Sequence, residues 1–292
     1  MEGQRMEPGI YQIDATTYHA DALGCDTPPM LSASIASILL RQSPMHAHAA
    51  HPRLGGFPPE ESETFDLGTA AHAMILEGTT DRYAIIEAND WRTNAAKAAR
   101  DEARANGKTP ILAKHADRMR LMANMVRKQV QAHTDEPVPL EFGKPEQTLV
   151  WCDQGVWCKA RVDWLHDDLR TIDDLKTGAV SAKPDAWTKT IYGRGGDLQA
   201  AFYLRGLKAI TGYDAAFRWI VAENTYPFAA SVIALSPEGL AEAGERVEQA
   251  IRLWGQCLAS DAWPGYPTRT CYIDPPAWAL MQHLEAAEQE AV

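Results

Sequence analysis

The sequence predicts an α/β (α+β) fold: a central mixed β-sheet flanked by helices, behind a helical N-terminal region. Three observations lead there. Apolar residues recur with a helical period over much of the first third, the pattern turns to strict alternation from about residue 145, and helix-like and strand-like runs then follow in turn. The 292 residues, 46% hydrophobic and 23% charged and without an internal repeat, suit one large domain with a sizeable core. A single domain over 1–292 is expected, with a mainly helical part (1–135), a part holding the sheet and its helices (136–235), and a C-terminal helix and tail (236–292).

In LSASIASILLRQSP, Ser32 or Ser34 can cap a helix that Pro44 interrupts. ETFDLGTAAHAMILEG reads as a second helix, capped near Thr64 or Asp66 and stopped at Gly78. A basic segment follows, broken at NGKTP, and then a long amphipathic helix from about Ala113 to His133. PEQTLVWC, GVWCKARVDWLHD and LRTIDDLKT alternate like strands and are separated by DQG and DD turn signals, which predicts an antiparallel meander. Helices are expected at about Lys183–Tyr192 and from Asp197. Strands follow in YDAAFRWIVAEN and FAASVIAL, and Ser236 caps a last helix with Glu238 and Glu242 near its positive end.

Composition narrows the function. The opening MEGQRMEPGIYQID lacks the apolar core of a signal peptide, and no run approaches the ~18 apolar residues of a membrane span, so a cytoplasmic protein that does not engage membranes is expected. The five cysteines contain no CxxC pair, which argues against a zinc ribbon or an iron–sulfur cluster, and they read as reduced thiols. The net charge of -11 excludes indiscriminate phosphate binding by the whole surface. The charge is polarised, however: residues 91–128 carry ten basic against three acidic groups, and from Val221 onward ten carboxylates face three arginines. The basic stretch is either a solvated helical face or a surface that tracks phosphates.

Period-two geometry singles out a cluster. Trp157, Lys159, Arg161 and Asp163 fall on one face of their strand, and Ile172, Asp174 and Lys176 on one face of the next, with Asp173 and Leu175 turned away. If the strands pair, Asp163 and Asp174 approach, and two close carboxylates favour a proton or a cation such as Mg²⁺. Lys176 beside them can orient or help deprotonate a water and stabilise charge on a phosphate. The same four charged residues would equally serve as a cross-strand salt-bridge ladder. Gln199 and Tyr203 share a helix face four residues apart, and His72 stands on a helix of small and apolar residues; by themselves both patterns are as readily packing.

In their order, GTAAH (68–72), PE (145–146), RVD (161–163), IDDLKT (172–177) and QAAFY (199–203) resemble the motifs of RecB-type nucleases in the PD-(D/E)XK superfamily. The opening LSASIASILLRQSPMHAHAA with FDLGTAAHAMILEG is similar to phage and prophage RecE-like exonucleases of the exodeoxyribonuclease VIII type. The resemblance runs from about Leu31 to Tyr203, and YGRGGDLQ departs from the family's frequent GYxxQ.

That resemblance implies a PD-(D/E)XK core. It implies His72, Asp163 and Asp174 as metal ligands with the Leu175 carbonyl completing the shell, Lys176 positioning or activating water, and Gln199 and Tyr203 orienting the lysine or the DNA. Glu146, with Glu141 as a substitute, would bind a second metal or order water. Arg161, Arg92, Lys97 and Arg100 are the candidate DNA contacts. The implied activity is Mg²⁺-dependent, with Mn²⁺ as a substitute: digestion of linear double-stranded DNA from the 5′ end to leave 3′ single strands for an annealing protein, by a homo-oligomeric ring, possibly a tetramer. An endonuclease, a single-strand nuclease or a non-catalytic DNA-binding recombination scaffold are the alternatives.

Overall fold

The computed structural model describes residues 6–24, 26–56, 71–76, 78, 83–278 and 281. Six strands form the main sheet: β1 (Gly9–Tyr11), β4 (Gly143–Asp153), β5 (Val156–His166), β6 (Thr171–Gly178), β7 (Ala216–Glu223) and β8 (Ala230–Ile233), in the spatial order β1-β4-β5-β6-β7-β8. Neighbours are antiparallel except β6 and β7, which run parallel. The expected mixed sheet and its β4–β5–β6 meander are present. A separate parallel pair joins β2 (Tyr83–Ile86) to β3 (Thr109–Leu112).

The helices begin where the sequence supplies caps. Ser32 caps α2 (Ala33–Arg41), Ser43 caps α3 (Pro44–Ala50), Thr93 caps α5 (Asn94–Ala105) and Ser236 caps α9 (Pro237–Ser260), each side chain accepting a backbone N–H of the first turn. Pro44 therefore opens a helix rather than only ending one, since a first-turn proline has no hydrogen bond to lose. Residues 71–76 are helical and are labelled α4; the expected caps Thr64 and Asp66 lie outside the described residues. A short α1 (Ala15–His19), the long α6 (Ala113–Gln131), α7 (Pro184–Arg194) and α8 (Gly196–Thr211) complete the set. The N-terminal part is thus less purely helical than expected: β1 joins the main sheet, and the basic region holds β2 and β3.

The DQG turn joins β4 to β5 through Gln154 (φ 51°) and Gly155 (φ 79°), a two-residue hairpin with both central residues left-handed, as the twist of paired strands favours. From the hairpin end of the sheet, α7 and α8 carry the chain from β6 back to the start of the parallel β7.

Each face of the sheet has its own core. On one face Leu149, Trp151, Ala160, Val162 and Ile172 pack with Leu39 of α2, Phe202 of α8 and Trp254 of α9. On the other, Leu175 and Ile220 pack with Met74 and Ile75 of α4, Val126 of α6 and Ile111 of β3. A third, smaller cluster sets Tyr18, Leu23 and Met30 against Val150 and Trp157, so residues 9–31 cross the β4–β5 ribbon as a strap.

The aromatic tail is half packed. Trp263 stacks on Trp254 and on His48, and Tyr266 on His46, whereas Tyr272 and Ile273 are 96% and 92% exposed. Cys152 and Cys158 are strand residues and, with Cys257 and Cys271, are free thiols; Cys25 lies outside the described residues. Among the described residues no helix is long and apolar enough to cross a membrane.

Gly206 lets α8 lie directly on β4: a Cβ there would meet the Trp151 ring at 2.6 Å. Helix propensity alone would make Gly206→Ala stabilising by up to about 1 kcal/mol. Overpacking against a rigid indole should win, so we expect a net loss of about 1–3 kcal/mol in urea unfolding.

Candidate metal centre

The site arises where two strand ladders are interrupted. Along β4 and β5 the register pairs Pro145 with Trp164 and Gln147 with Val162, passing over Glu146 and Asp163, which stand opposite each other. Glu146 has φ 56°, a left-handed backbone that a side-chain-bearing residue seldom adopts. Val162 and Leu165, three positions apart, lie in the same core cluster, so the alternation of β5 slips between them, at Asp163. β5 and β6 are paired only at Trp164–Asp173 and Leu165–Ile172. Where they part, Asp163 Oδ2 accepts the Leu175 N–H at 2.8 Å, replacing a ladder bond with a carboxylate.

Three donors converge at this point. One ligand atom each from His72 of α4, Glu146 and Asp163 lie within 4.8 Å of one another, and His72 Nδ1 is 3.6 Å from Asp163 Oδ2. Ligands on opposite sides of one hard cation are about 4–5 Å apart, so the group fits a single ion with mixed nitrogen and oxygen donors. Electrostatics agrees: burial first, and then the Asp174 carboxylate, push Asp163 up to about 6, a strain that a cation would relieve.

Asp174 is 1% exposed, and both its oxygens are engaged. Lys176 Nζ is 2.5 Å from Oδ1, and Gln199 Nε2 donates to Oδ2 at 2.8 Å. Burial opposes the charge on Lys176, but Asp174 and then Asp163 outweigh it and hold the ammonium above its ordinary value. Tyr203 lies one turn beyond Gln199 on the same face of α8, and burial raises its phenol well above the usual range. Leu175 takes part through its amide.

The structure therefore brings together His72, Glu146, Asp163, Asp174, Lys176, Gln199 and Tyr203 from α4, β4, β5, β6 and α8. Glu146, not Glu141, is the acid that reaches the donor group. Asp174 and Asp173 part as alternation requires: Asp173, on the far face, is gripped by His166 at 2.7 Å, by Arg218 at 2.7 and 3.1 Å, and by the Leu140 N–H. Although burial opposes it, these bonds hold the Asp173 carboxyl below its usual value. The four-residue ladder does not form, because Lys159 turns to Asp21, 2.7 Å away.

Of the candidate DNA contacts, Arg92, Lys97 and Arg100 lie on the β2–α5–β3 unit, Arg92 91% exposed and Arg100 paired with Asp101. Arg161 is turned inward instead, donating from Nε to Glu146 Oε2 at 2.5 Å. No spacing in the sequence pointed to that bond. Nor did any motif single out His19 of α1, whose imidazole is held below its ordinary value by burial, then by Arg161 and Lys159.

A family model described as "PDDEXK-like domain of unknown function (DUF3799)" matches residues 35–275. No curated protein matches the chain. Among solved structures the chain is similar to a "Putative exonuclease" from Eubacterium rectale, with 15% identity, a TM-score of 0.58, and coverage of 92% of this chain and 98% of that one. At that identity the likeness shows the fold. A phage related exonuclease from Haemophilus somnus is similar at 13% identity and a TM-score of 0.28, covering 66% of this chain and 95% of that one, too slight a likeness to carry an argument.

Because Asp163 is raised, a cation must displace its proton in mild acid. Native protein holds that proton between its ordinary value and about 6 whereas unfolded chain does not, so metal-free stability should fall as pH rises through that window. Calorimetric Mn²⁺ titration should show affinity level above about pH 7 and about tenfold lower at pH 5, with proton release. A pH-independent affinity would remove Asp163 from the ligand set.

Proposed function

The chain belongs to the family of PDDEXK-like domains (DUF3799), and from that premise we propose that it is a divalent-metal-dependent exodeoxyribonuclease hydrolysing phosphodiester bonds of linear double-stranded DNA. One observation carries the reading: His72, Glu146 and Asp163 converge within 4.8 Å, directly beside the Asp174–Lys176–Gln199 chain.

A bound ion, Mg²⁺ in this reading, would lower the pKa of a water and polarise the phosphate. His72, Glu146 and Asp163 would hold it, and Asp174 would face it from β6. Lys176, kept protonated by its carboxylate neighbours, is suited to orienting a water and offsetting charge on the phosphate, and not to removing a proton at neutral pH. Gln199 fixes the Asp174 oxygen that the lysine does not take, and Tyr203 stands beside it on the same face of α8. The exposed basic groups of the β2–α5–β3 unit supply the positive surface that a net charge of -11 otherwise denies to DNA.

The finer features rest on the motif order. It supports digestion from the 5′ end, production of 3′ single strands for an annealing protein during recombination, a homo-oligomeric ring, and action in a bacterial cytoplasm.

Incubation with linear duplex and Mg²⁺ should release nucleotides, first from a 5′-terminal label, and leave closed circles intact. Asp174→Ala and Lys176→Ala should each lower the rate by about 100-fold or more. Asp173→Asn, on the opposite face, should retain more activity than Asp174→Asn while losing more stability. Undiminished activity in the Asp174 and Lys176 variants would refute the site; cleavage of closed circles would make the enzyme an endonuclease.

A further inference from the structure

Two cations on β5 leave the sheet for the strap. Lys159 Nζ lies 2.7 Å from Asp21 Oδ1 and donates to the Tyr18 carbonyl at 2.6 Å, its ammonium 4.7 Å from the Tyr18 ring centroid. Asp21 is itself enclosed: its Oδ2 accepts the Met30 N–H at 3.1 Å and an Arg53 N–H at 3.4 Å, and His51 Nε2 is 3.5 Å away. Lys159 and Asp21 are 4% and 1% exposed, so the strap is pinned by a closed ionic knot.

Arg161, two residues along, makes the second connection. Its NH1 donates to the Ile13 carbonyl of the strap at 2.5 Å, while its Nε donates to Glu146 of the candidate metal centre at 2.5 Å. One planar guanidinium thus spans from strap to site, and its side chain is 10% exposed. Glu146 needs such support, because its left-handed backbone is flanked by Pro145, which has no N–H to give the ladder.

We propose that Arg161 is a positioning residue through which the seating of the N-terminal strap sets the orientation of Glu146 in the metal centre. With Oε2 held by Arg161, the Glu146 carboxylate is fixed beside His72 and Asp163. The strap therefore acts as part of the site's frame, although residues 9–31 precede the span matched by the family model. This inference rests on the metal reading of the site.

Mn²⁺ titration of the full chain by calorimetry tests it, with urea unfolding of every variant alongside. Wild type must bind Mn²⁺; if it does not, the metal reading itself fails. Given binding, Arg161→Gln and Arg161→Lys should each weaken affinity about 10- to 100-fold, since the shorter amide of glutamine and the freely rotating ammonium of lysine lack the planar fork that holds Glu146 and Ile13 in one fixed geometry. The double variant Asp21→Asn with Lys159→Met unpins the strap without stranding a buried charge, and should weaken affinity by about threefold or more although it touches no ligand. Wild-type affinity in Arg161→Lys, or tighter binding in Arg161→Gln, would show that Arg161 only balances charge. Unchanged affinity in the double variant would show that the strap does not reach the site. Either result overturns the proposal.

Discussion

The organisation of this protein follows from the need to give each carboxylate taken out of water a partner. Lys159 serves Asp21, Arg218 serves Asp173, Arg246 serves Asp197, Lys176 serves Asp174 and Arg161 serves Glu146. Asp163 is placed differently. Among the described residues it forms no ion pair with a lysine or arginine; it has the His72 imidazole and one amide, and the Asp174 and Glu146 carboxylates repel its charge. Paired charges inside a protein are expensive to separate, so the five pairs act as fixed points. An underneutralised acid set beside two further carboxylates marks the place where chemistry has room.

That place is also where the sheet is least regular. The skipped Glu146–Asp163 pair and the brief β5–β6 pairing leave side chains in positions that backbone bonds would otherwise fill. The irregularity is bounded by dense packing: Leu175 and Ile172, on opposite faces of β6, are wholly buried, and α8 lies against β4 through Gly206. A strand so held can present Asp174 and Lys176 with little freedom to wander.

Much of this was legible because β4 to β8 alternate and α2 and α9 carry serine caps. Alternation alone separated Asp173 from Asp174, and the structure gives each its own face. β1, β2 and β3 were not foreseen, since three or four residues are too few to establish a period and Pro110 sits in a stretch that reads as a break. The partner of Lys159 was missed for a different reason. Alternation runs unbroken from Val156 to Val162, but Asp21 of the strap, far earlier in the chain, takes the ammonium, a tertiary contact with no local signal. His72 had no physical warrant in its own helix, and only the order of the motifs drew it to the acids. Arg161 carried a recognisable motif position, but its direction depends on a backbone carbonyl 148 residues earlier, which no side-chain pattern encodes.

The strap is gripped from beneath by β5 and touched from the other side by α9, where Trp254 Nε1 donates to the Pro29 carbonyl, 225 residues away in sequence. His51, which contacts Asp21, stacks against the same indole. Contacts of such separation close late on a growing chain, because the loop must be synthesised before its ends can meet. During translation the ligand-bearing strands would leave the ribosome well before α9 completes the enclosure of Asp21. Assembly of a fully framed centre is thereby tied to the synthesis of α9, a temporal order written into the connectivity of the fold.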